Sequence, residues 1–173
     1  MDVSIRQLVS SDAGVLLEAV EESKREVSQW MDWCRLDYGL EDATEWIASS
    51  QTEFEKGTRY GFGIFDAQGR YLGQIGLSHI DQQARNASLG YWVRTSATGQ
   101  GVAPAAVRLL VDWAFSSTDL HRLEVVVAVE NQRSQRVAEK VGAIREGVLR
   151  SKLKVFDRYL DAVMYSIVRG DDA

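Results

Sequence analysis

The segment L-G-Y-W-V-R-T-S-A-T-G-Q-G-V-A (89–103) joins an apolar, strand-like run to an amphipathic helix that begins near residue 101. Two glycines, Gly99 and Gly101, lie immediately before that helix. Helix N-termini expose unpaired N–H groups and the positive end of the helix dipole, and glycine lets an anion approach the backbone closely. The only proline, Pro104, is compatible with a first helical turn. The segment therefore predicts an anion-binding turn, with a plain capping turn as the alternative.

Two common phosphate motifs do not fit this turn. A P-loop ends in Gly-Lys-Ser/Thr, whereas Val-Ala-Pro follows Gly101. A dinucleotide fingerprint needs a third glycine where the chain has Pro104, and it follows a first parallel strand rather than a run of antiparallel-looking strands. The sequence therefore favours a different phosphate ligand.

Composition limits the classes of protein to consider. The chain has 173 residues, of which 45% are hydrophobic, and we expect one domain over residues 1–173. Its apolar runs are shorter than a bilayer span, and its N-terminus lacks the pattern of a signal peptide, so we expect no membrane association. A single cysteine, Cys34, excludes an internal disulfide and favours a reducing, cytoplasmic location. With only His79 and His121 besides, we expect no metal site.

The net charge of −5 argues against a nucleic-acid partner. Residues 1 to 60 carry 13 acidic and 6 basic side chains, a balance of −7, and residues 61 to 173 carry 12 and 14, a balance of +2. Solvated acidic helix faces explain this asymmetry. A front end that meets a cationic partner and a back end that meets an anionic ligand are the alternative.

Hydrophobic periodicity predicts the element order βααβββαβαββ, an α/β (α+β) domain around one sheet. An aromatic loop (30–39) separates the first two helices, and Gly142 caps the last helix. The predicted strands are 3–8, 60–65, 71–80, 87–93, 123–129, 143–149 and 161–168. The predicted helices begin at Ser11–Asp12 and lie over 40–50, 101–116 and 131–142.

These residues resemble the GNAT superfamily of acetyltransferases, whose pyrophosphate loop reads Gln/Arg-x-x-Gly-x-Gly/Ala. Thr98-Gly-Gln-Gly-Val-Ala103 matches that loop at Gly101 and Ala103 and departs from it at Thr98. The run E-N-Q-R-S-Q-R-V-A-E-K-V-G-A-I-R-E-G (130–147) is similar to the "N-x-x-S … EK-x-G-F … EG" run of the Rim-type ribosomal-protein N-terminal acetyltransferases. The resemblance implies a GNAT fold, a central mixed, mostly antiparallel seven-stranded sheet flanked by about four helices.

Acetyl-CoA is the donor that this resemblance implies. Backbone amides of the turn hold its pyrophosphate, and the edge of the preceding strand pairs with its pantetheine arm. Asn131 is a residue type that can hydrogen-bond the pantetheine amides, with a helix cap as the alternative. Arg133 and Arg136 can bind the nucleotide phosphate, with a solvated basic helix face as the alternative. The predicted donor-binding residues are Tyr91, Trp92, Val93, Thr98, Gly99, Gln100, Gly101, Val102, Ala103, Asn131, Arg133 and Arg136.

Ser134, one turn after Asn131, is the general acid that the resemblance implies. The base is less clear from the sequence. His79 is the first candidate because histidine titrates closest to neutral pH, Glu124 and Asp161 are others, and a water chain is a further alternative.

Trp30, Trp33 and Tyr38 lie in an acidic segment and predict a site for a cationic acceptor, with a core role as the alternative. The expected reaction is acetylation of a primary amine, with the α-amine of a ribosomal-type protein as the specific prediction. A small amine such as a polyamine or aminoglycoside, and a non-catalytic CoA-binding sensor, are alternatives. We expect a monomer or homodimer.

Overall fold

The structure is a computed structural model that describes residues 2–171. Its strands are β1 (Val3–Arg6), β2 (Tyr60–Asp66), β3 (Tyr71–Asp81), β4 (Asn86–Val93), β5 (Arg122–Ala128), β6 (Ile144–Val155) and β7 (Arg158–Val168). Its α-helices are α1 (Ala13–Val27), α2 (Leu40–Glu55), α3 (Val102–Ser117) and α4 (Gln132–Lys140). This is the predicted element order, and short 3-10 turns precede α1 and α3.

One seven-stranded sheet has the order β1-β2-β3-β4-β5-β7-β6. Every neighbouring pair is antiparallel except β4 and β5, which are parallel. That parallel pairing covers only three positions and ends where Ser88 faces Glu124. Both strands continue beyond this point, each still paired with its outer neighbour, so the sheet divides in its middle.

Apolar side chains on the two faces of the sheet form two cores. The larger core packs α3 and α4 against one face through fully buried residues such as Leu110 and Leu123. The second core packs α1 and α2 around Tyr71 and Trp92, whose side chains belong to the other face. Alternation along each strand explains this division, because successive side chains point to opposite faces.

Local capping fixes both ends of α4, near the sheet division. Asn131 Oδ1 accepts a 3.1 Å hydrogen bond from the Ser134 backbone N–H and so caps the start of α4. At the other end, Gly142 has a φ of 79° and Ala143 N–H donates to the Ala138 carbonyl at 3.0 Å, the pattern of a Schellman cap. The predicted cap at Gly142 is confirmed.

The last two strands are longer than the periodicity predicts. Instead of ending at residue 149 and resuming at 161, β6 continues to Val155 and β7 starts at Arg158. A bulge between Leu149 and Leu153 shifts the register, and charged side chains alternate on this edge strand where the sequence looks like a loop. At the other end of the chain, β1 stops at Arg6 rather than at residue 8.

An ion-pair network fastens β5, β6 and β7 on the face of the sheet opposite α3. Arg122 donates to both oxygens of Glu146 at 2.7 and 2.5 Å, and Arg122 Nε donates to Glu124 at 2.9 Å. Ser166 Oγ also donates to Glu146 at 2.7 Å. These bonds, those from Arg122 first, lower the pKa of Glu146 from its ordinary 4.5 to about 2.

The network predicts a specific dependence of stability on pH. The folded-state pKa of Glu146 lies below its unfolded value, so its contribution is present above pH 4.5 and disappears as the pH falls towards 2. We expect the Tm of Glu146→Gln to lie below that of the wild type at pH 7 and to approach it between pH 4.5 and 2. Thermal unfolding at several pH values measures this.

Glu45→Gln, on the exposed face of α2, is the matched control and should give a pH-independent difference from the wild type. A difference between wild type and Glu146→Gln that stays constant down to pH 2 would contradict the assignment.

Candidate active site

The glycine turn before α3 presents a row of unused backbone donors. Gly99 and Gly101 have φ values of 77° and 81°, a region that L side chains rarely adopt, and no atom beyond the adjacent residues lies within 4 Å of where either Cβ would be. None of the five N–H groups of residues 99 to 103 donates a hydrogen bond to any atom of residues 2–171. The turn is therefore an open cluster of donors at the positive end of a 16-residue helix.

Side chains of the turn bond back to its own start and leave its outer surface free. Thr98 Oγ1 donates to the Thr95 carbonyl at 2.9 Å, and Gln100 Nε2 donates to the Ser96 carbonyl at 2.8 Å. Val102 is buried in the core and anchors the first turn of α3, while Ala103 is half-buried. The predicted anion-binding residues thus divide into backbone donors and side chains that shape the turn.

A gap lies beside this turn, between the ends of β4 and β5. Leu89–Val93 and Val125–Ala128 are not paired with each other, although each segment is paired on its outer side. Among the three predicted residues of β4, Tyr91 and Val93 are partly buried against the larger core, and the Trp92 ring is buried in the second core. The gap therefore offers backbone polar groups of β4 to an extended, amide-containing ligand.

A pair of hydroxyls closes the α4 side of the gap. Tyr91 Oη and Ser134 Oγ share a hydrogen bond of 2.7 Å, which joins β4 to the first turn of α4. Burial raises the pKa of Tyr91 to about 12, so its hydroxyl stays protonated at neutral pH. The sequence placed Ser134 in the site but assigned Tyr91 only a backbone role, because the two residues are 43 positions apart.

The other predicted polar residues of α4 lie around this pair. Asn131 uses its side-chain oxygen to cap the helix. Arg133 and Arg136 are exposed, and neither forms an ion pair with any residue from 2 to 171. Both guanidinium groups are therefore available to an anion from solvent.

Glu124 lies at the closed end of the gap, on the face of the sheet away from α3. It is the last β5 residue paired with β4, and its cross-strand neighbours are Ser88 and Ser166. Two carboxylates, Glu124 and Glu146, share the single guanidinium of Arg122 here, so the cluster carries a net charge of −1. This face of the gap therefore favours a cation.

The other two candidates for the base are placed differently. His79 is exposed at a bulge in β3 with a φ of 50°, and its Nδ1 lies 3.0 Å from Ser78 Oγ. Ser78 pairs with Ser88, which in turn pairs with Glu124 at the point where the gap closes. His79 therefore lies beyond that point on β3, with β4 between it and Glu124. Asp161 accepts a 2.7 Å hydrogen bond from the Ser151 N–H and supports the β6 bulge.

Two aromatic side chains of the loop between α1 and α2 pack against each other. Trp33 contacts Tyr38 and Trp92, with ring centroids 5.8 and 5.7 Å apart, and Tyr38 is buried in the second core. Trp30 is half-buried. Lys24 Nζ donates to the Tyr38 carbonyl at 3.2 Å and holds the end of the loop. Only Trp30 and Trp33 of the predicted acceptor residues thus present partly exposed rings.

The structure also bears on metal binding and on membrane-spanning helices. Across residues 2–171, no three histidine, cysteine, aspartate or glutamate side chains are grouped so that they could hold a metal ion. None of the helices in this part of the chain is both long enough and apolar enough to cross a bilayer.

Comparison with known proteins agrees with this geometry. Residues 2–144 match the family model described as "Acetyltransferase (GNAT) domain". The probable N-acetyltransferase YjcK of Bacillus subtilis is 33% identical, over 98% of this chain and 96% of that protein. The putative ribosomal N-acetyltransferase YdaF of the same organism is 30% identical, over 98% and 92%.

A solved structure extends the likeness to the whole fold. Mycobacterium smegmatis RimJ, in complex with CoA-disulfide, superposes with a TM-score of 0.88 at 28% identity and covers 96% of this chain and 82% of that one. The fold and the family that the sequence predicts are confirmed. With an open donor turn, a divided sheet and these relatives, the chain belongs to the GNAT family of N-acetyltransferases.

Proposed function

We propose that the protein transfers the acetyl group of acetyl-CoA to the N-terminal α-amine of a protein, with a ribosomal-type protein as the acceptor. The observation that carries the proposal is the row of five unused N–H groups at residues 99 to 103, beside a gap that exposes the edge of β4. A diphosphate fits such a row because it is a compact anion with many acceptor oxygens and no donors.

The residues of the turn and the gap divide the work of holding CoA. Backbone N–H groups of residues 99 to 103 bind the pyrophosphate, and the backbone of residues 91 to 93 pairs with the pantetheine amides. Arg133 and Arg136 are both exposed, one turn apart on α4, and attract the remaining phosphate of CoA. When bound, acetyl-CoA supplies an acyl thioester, which is the electrophile of the reaction.

The hydroxyl pair holds a proton at the centre of the gap. Ser134 Oγ is oriented by Tyr91 Oη at 2.7 Å, and Asn131 fixes the helix turn that carries Ser134. A thiolate leaving group with a pKa near 8.5 gains from a hydrogen-bond donor beside it. Because Tyr91 stays protonated, the pair always offers that donor at neutral pH.

Glu124 is the carboxylate best placed to meet the acceptor amine. It lies at the closed end of the gap, on the face opposite the larger core. An α-amine has a pKa near 8 and is largely protonated at neutral pH, so it is attracted to an anionic cluster and must lose a proton before it attacks. Arg122 Nε donates to Glu124 Oε1 at 2.9 Å and so holds the Glu124 side chain in position. The name of YdaF, a putative ribosomal N-acetyltransferase, supports a protein rather than a small amine as the acceptor.

A panel of acceptors tests the proposal. We expect thiol release from acetyl-CoA with peptides that carry a free N-terminus, and little release with the same peptides after N-terminal blocking or with spermidine. Free thiol is followed continuously, and mass spectrometry locates the added acetyl group. Faster turnover with spermidine would replace the protein acceptor with a small amine, and CoA binding without thiol release for any acceptor would indicate a sensor.

Gly101→Val provides the matched test of the donor site. The substitution places a branched side chain at a φ of 81° in the centre of the turn, so we expect calorimetric CoA affinity to fall at least about tenfold. Gly69→Val, at a φ of 77° in the β2–β3 hairpin with the same open surroundings, should leave CoA affinity unchanged. Equal CoA affinity in the two variants would refute the donor site.

The hydroxyl pair makes a separate prediction. Ser134→Ala should lower kcat by roughly 100- to 10,000-fold, the usual range for a proton donor, while CoA affinity stays within about twofold of the wild type. Tyr91→Phe should lower kcat less, and the double variant should resemble Ser134→Ala because both hydroxyls act as one unit. Ser116→Ala, on the exposed side of α3, is the control. Equal losses of kcat and CoA affinity would remove the proton-donor role.

A further inference from the structure

The acidic stripe of α1 is bonded to the segment that leads into the glycine turn. Glu18, Glu22 and Glu26 recur every fourth residue, so they lie on one side of the helix. All three accept hydrogen bonds from residues 94 to 96, at the end of β4. The sequence suggests that these carboxylates are solvated or face a cationic partner. In the structure they accept hydrogen bonds from other residues of the same chain.

Arg94 is the cation that this stripe neutralises. It is 4% exposed, although arginine is rarely buried without a partner. Its Nη2 donates to Glu18 at 2.7 Å, its Nε donates to Glu22 at 3.0 Å, and its Nη1 donates to the Tyr71 carbonyl at 3.2 Å. Three acceptors therefore fix the guanidinium, and with it the last residue before the 3-10 turn.

Glu22 has a second bond that Glu18 lacks. While its Oε2 accepts from Arg94, its Oε1 accepts from the Ser96 backbone N–H at 2.7 Å. The neighbouring Thr95 N–H donates to Ser23 Oγ at 3.0 Å, and Ser23 is fully buried. One carboxylate thus joins a buried cation to the main chain of the turn.

The bonds continue from there into the donor row. The Ser96 carbonyl accepts from Gln100 Nε2 at 2.8 Å, and the Thr95 carbonyl accepts from Thr98 Oγ1 at 2.9 Å. Since these two side chains shape the turn, α1 fixes it through a continuous series of hydrogen bonds. Glu22 stays ionised throughout the neutral range, because the Arg94 bond lowers its pKa to about 2.

We propose that Glu22, acting with Arg94, is a positioning residue that holds the backbone amides of residues 99 to 103 in the arrangement that binds CoA. This role rests on the function proposed above. A row of N–H groups binds an anion well only when it is ordered before the anion arrives, because ordering a loop on binding costs affinity. Neither Glu22 nor Arg94 touches the reacting atoms, so the effect belongs in donor affinity and not in the chemical step.

Variants at position 22 test the inference against a matched neighbour. Glu22→Gln keeps an oxygen for the Ser96 N–H but loses the charge, and Glu22→Ala loses both. Glu21→Gln and Glu21→Ala are controls on the exposed side of the same helix. We expect the CoA dissociation constant and the acetyl-CoA KM to rise about tenfold in Glu22→Ala, equivalent to about 1.4 kcal/mol, and less in Glu22→Gln. The acceptor KM and kcat should stay within about twofold of the wild type.

The outcomes are distinguishable. Tenfold weaker CoA binding in Glu22→Ala with an unchanged acceptor KM supports the positioning role, provided near-UV circular dichroism matches the wild type. Should Glu22→Ala unfold, Glu22→Gln decides, since it keeps the size of the side chain. Unchanged CoA affinity in both Glu22 variants overturns the inference, as do parallel rises in the acetyl-CoA and acceptor KM values. Absence of CoA binding in the wild type overturns the proposed function itself.

Discussion

Backbone N–H groups that have no partner in the folded chain are the constraint on which this structure depends. Most buried or half-buried amides in proteins are paired, and a helix start leaves its first donors unpaired unless a side chain, water or anion satisfies them. Here the cap position of α3 is Gly101, which has no side chain to accept such a bond. The donors of the turn are thus left to water or to an anion.

The division of the sheet follows the same logic. A parallel pair is normally continued along both strands, but β4 and β5 separate after Ser88 and Glu124. Along the gap, each strand is held in place by an antiparallel outer neighbour in continuous register, β3 on one side and β7 on the other. The gap is consequently held open by well-paired strands rather than by a mobile loop. The Tyr91–Ser134 pair and Glu124 therefore lie on opposite faces of the gap.

Sequence reasoning recovered the structural features around the candidate site that are local in the chain. The glycine turn, the Asn131 position and the Gly142 cap depend on neighbouring residues, and strand alternation predicted most of the sheet. Contacts between distant residues were beyond its reach. Tyr91 contacts Ser134 only because β4 and α4 converge in the fold. β6 is an edge strand with many exposed charged side chains, so its sequence does not show the alternation of apolar residues that predicts a strand. Arg94 gave no signal either, since a lone arginine after an apolar strand indicates a surface position until its acidic partners are known.

The charge asymmetry of the chain has a different meaning once the contacts are known. Two of the α1 carboxylates, Glu18 and Glu22, pair with Arg94 and order the segment before the glycine turn, so part of the acidic excess has an internal partner. In the proposed function, the cationic amine is attracted by Glu124 and Glu146, which belong to the part of the chain with a positive balance. Two carboxylates that share one guanidinium exert a local field that the sum over a long segment conceals. Charge summed along the sequence therefore does not predict the sign of the charge at a particular site.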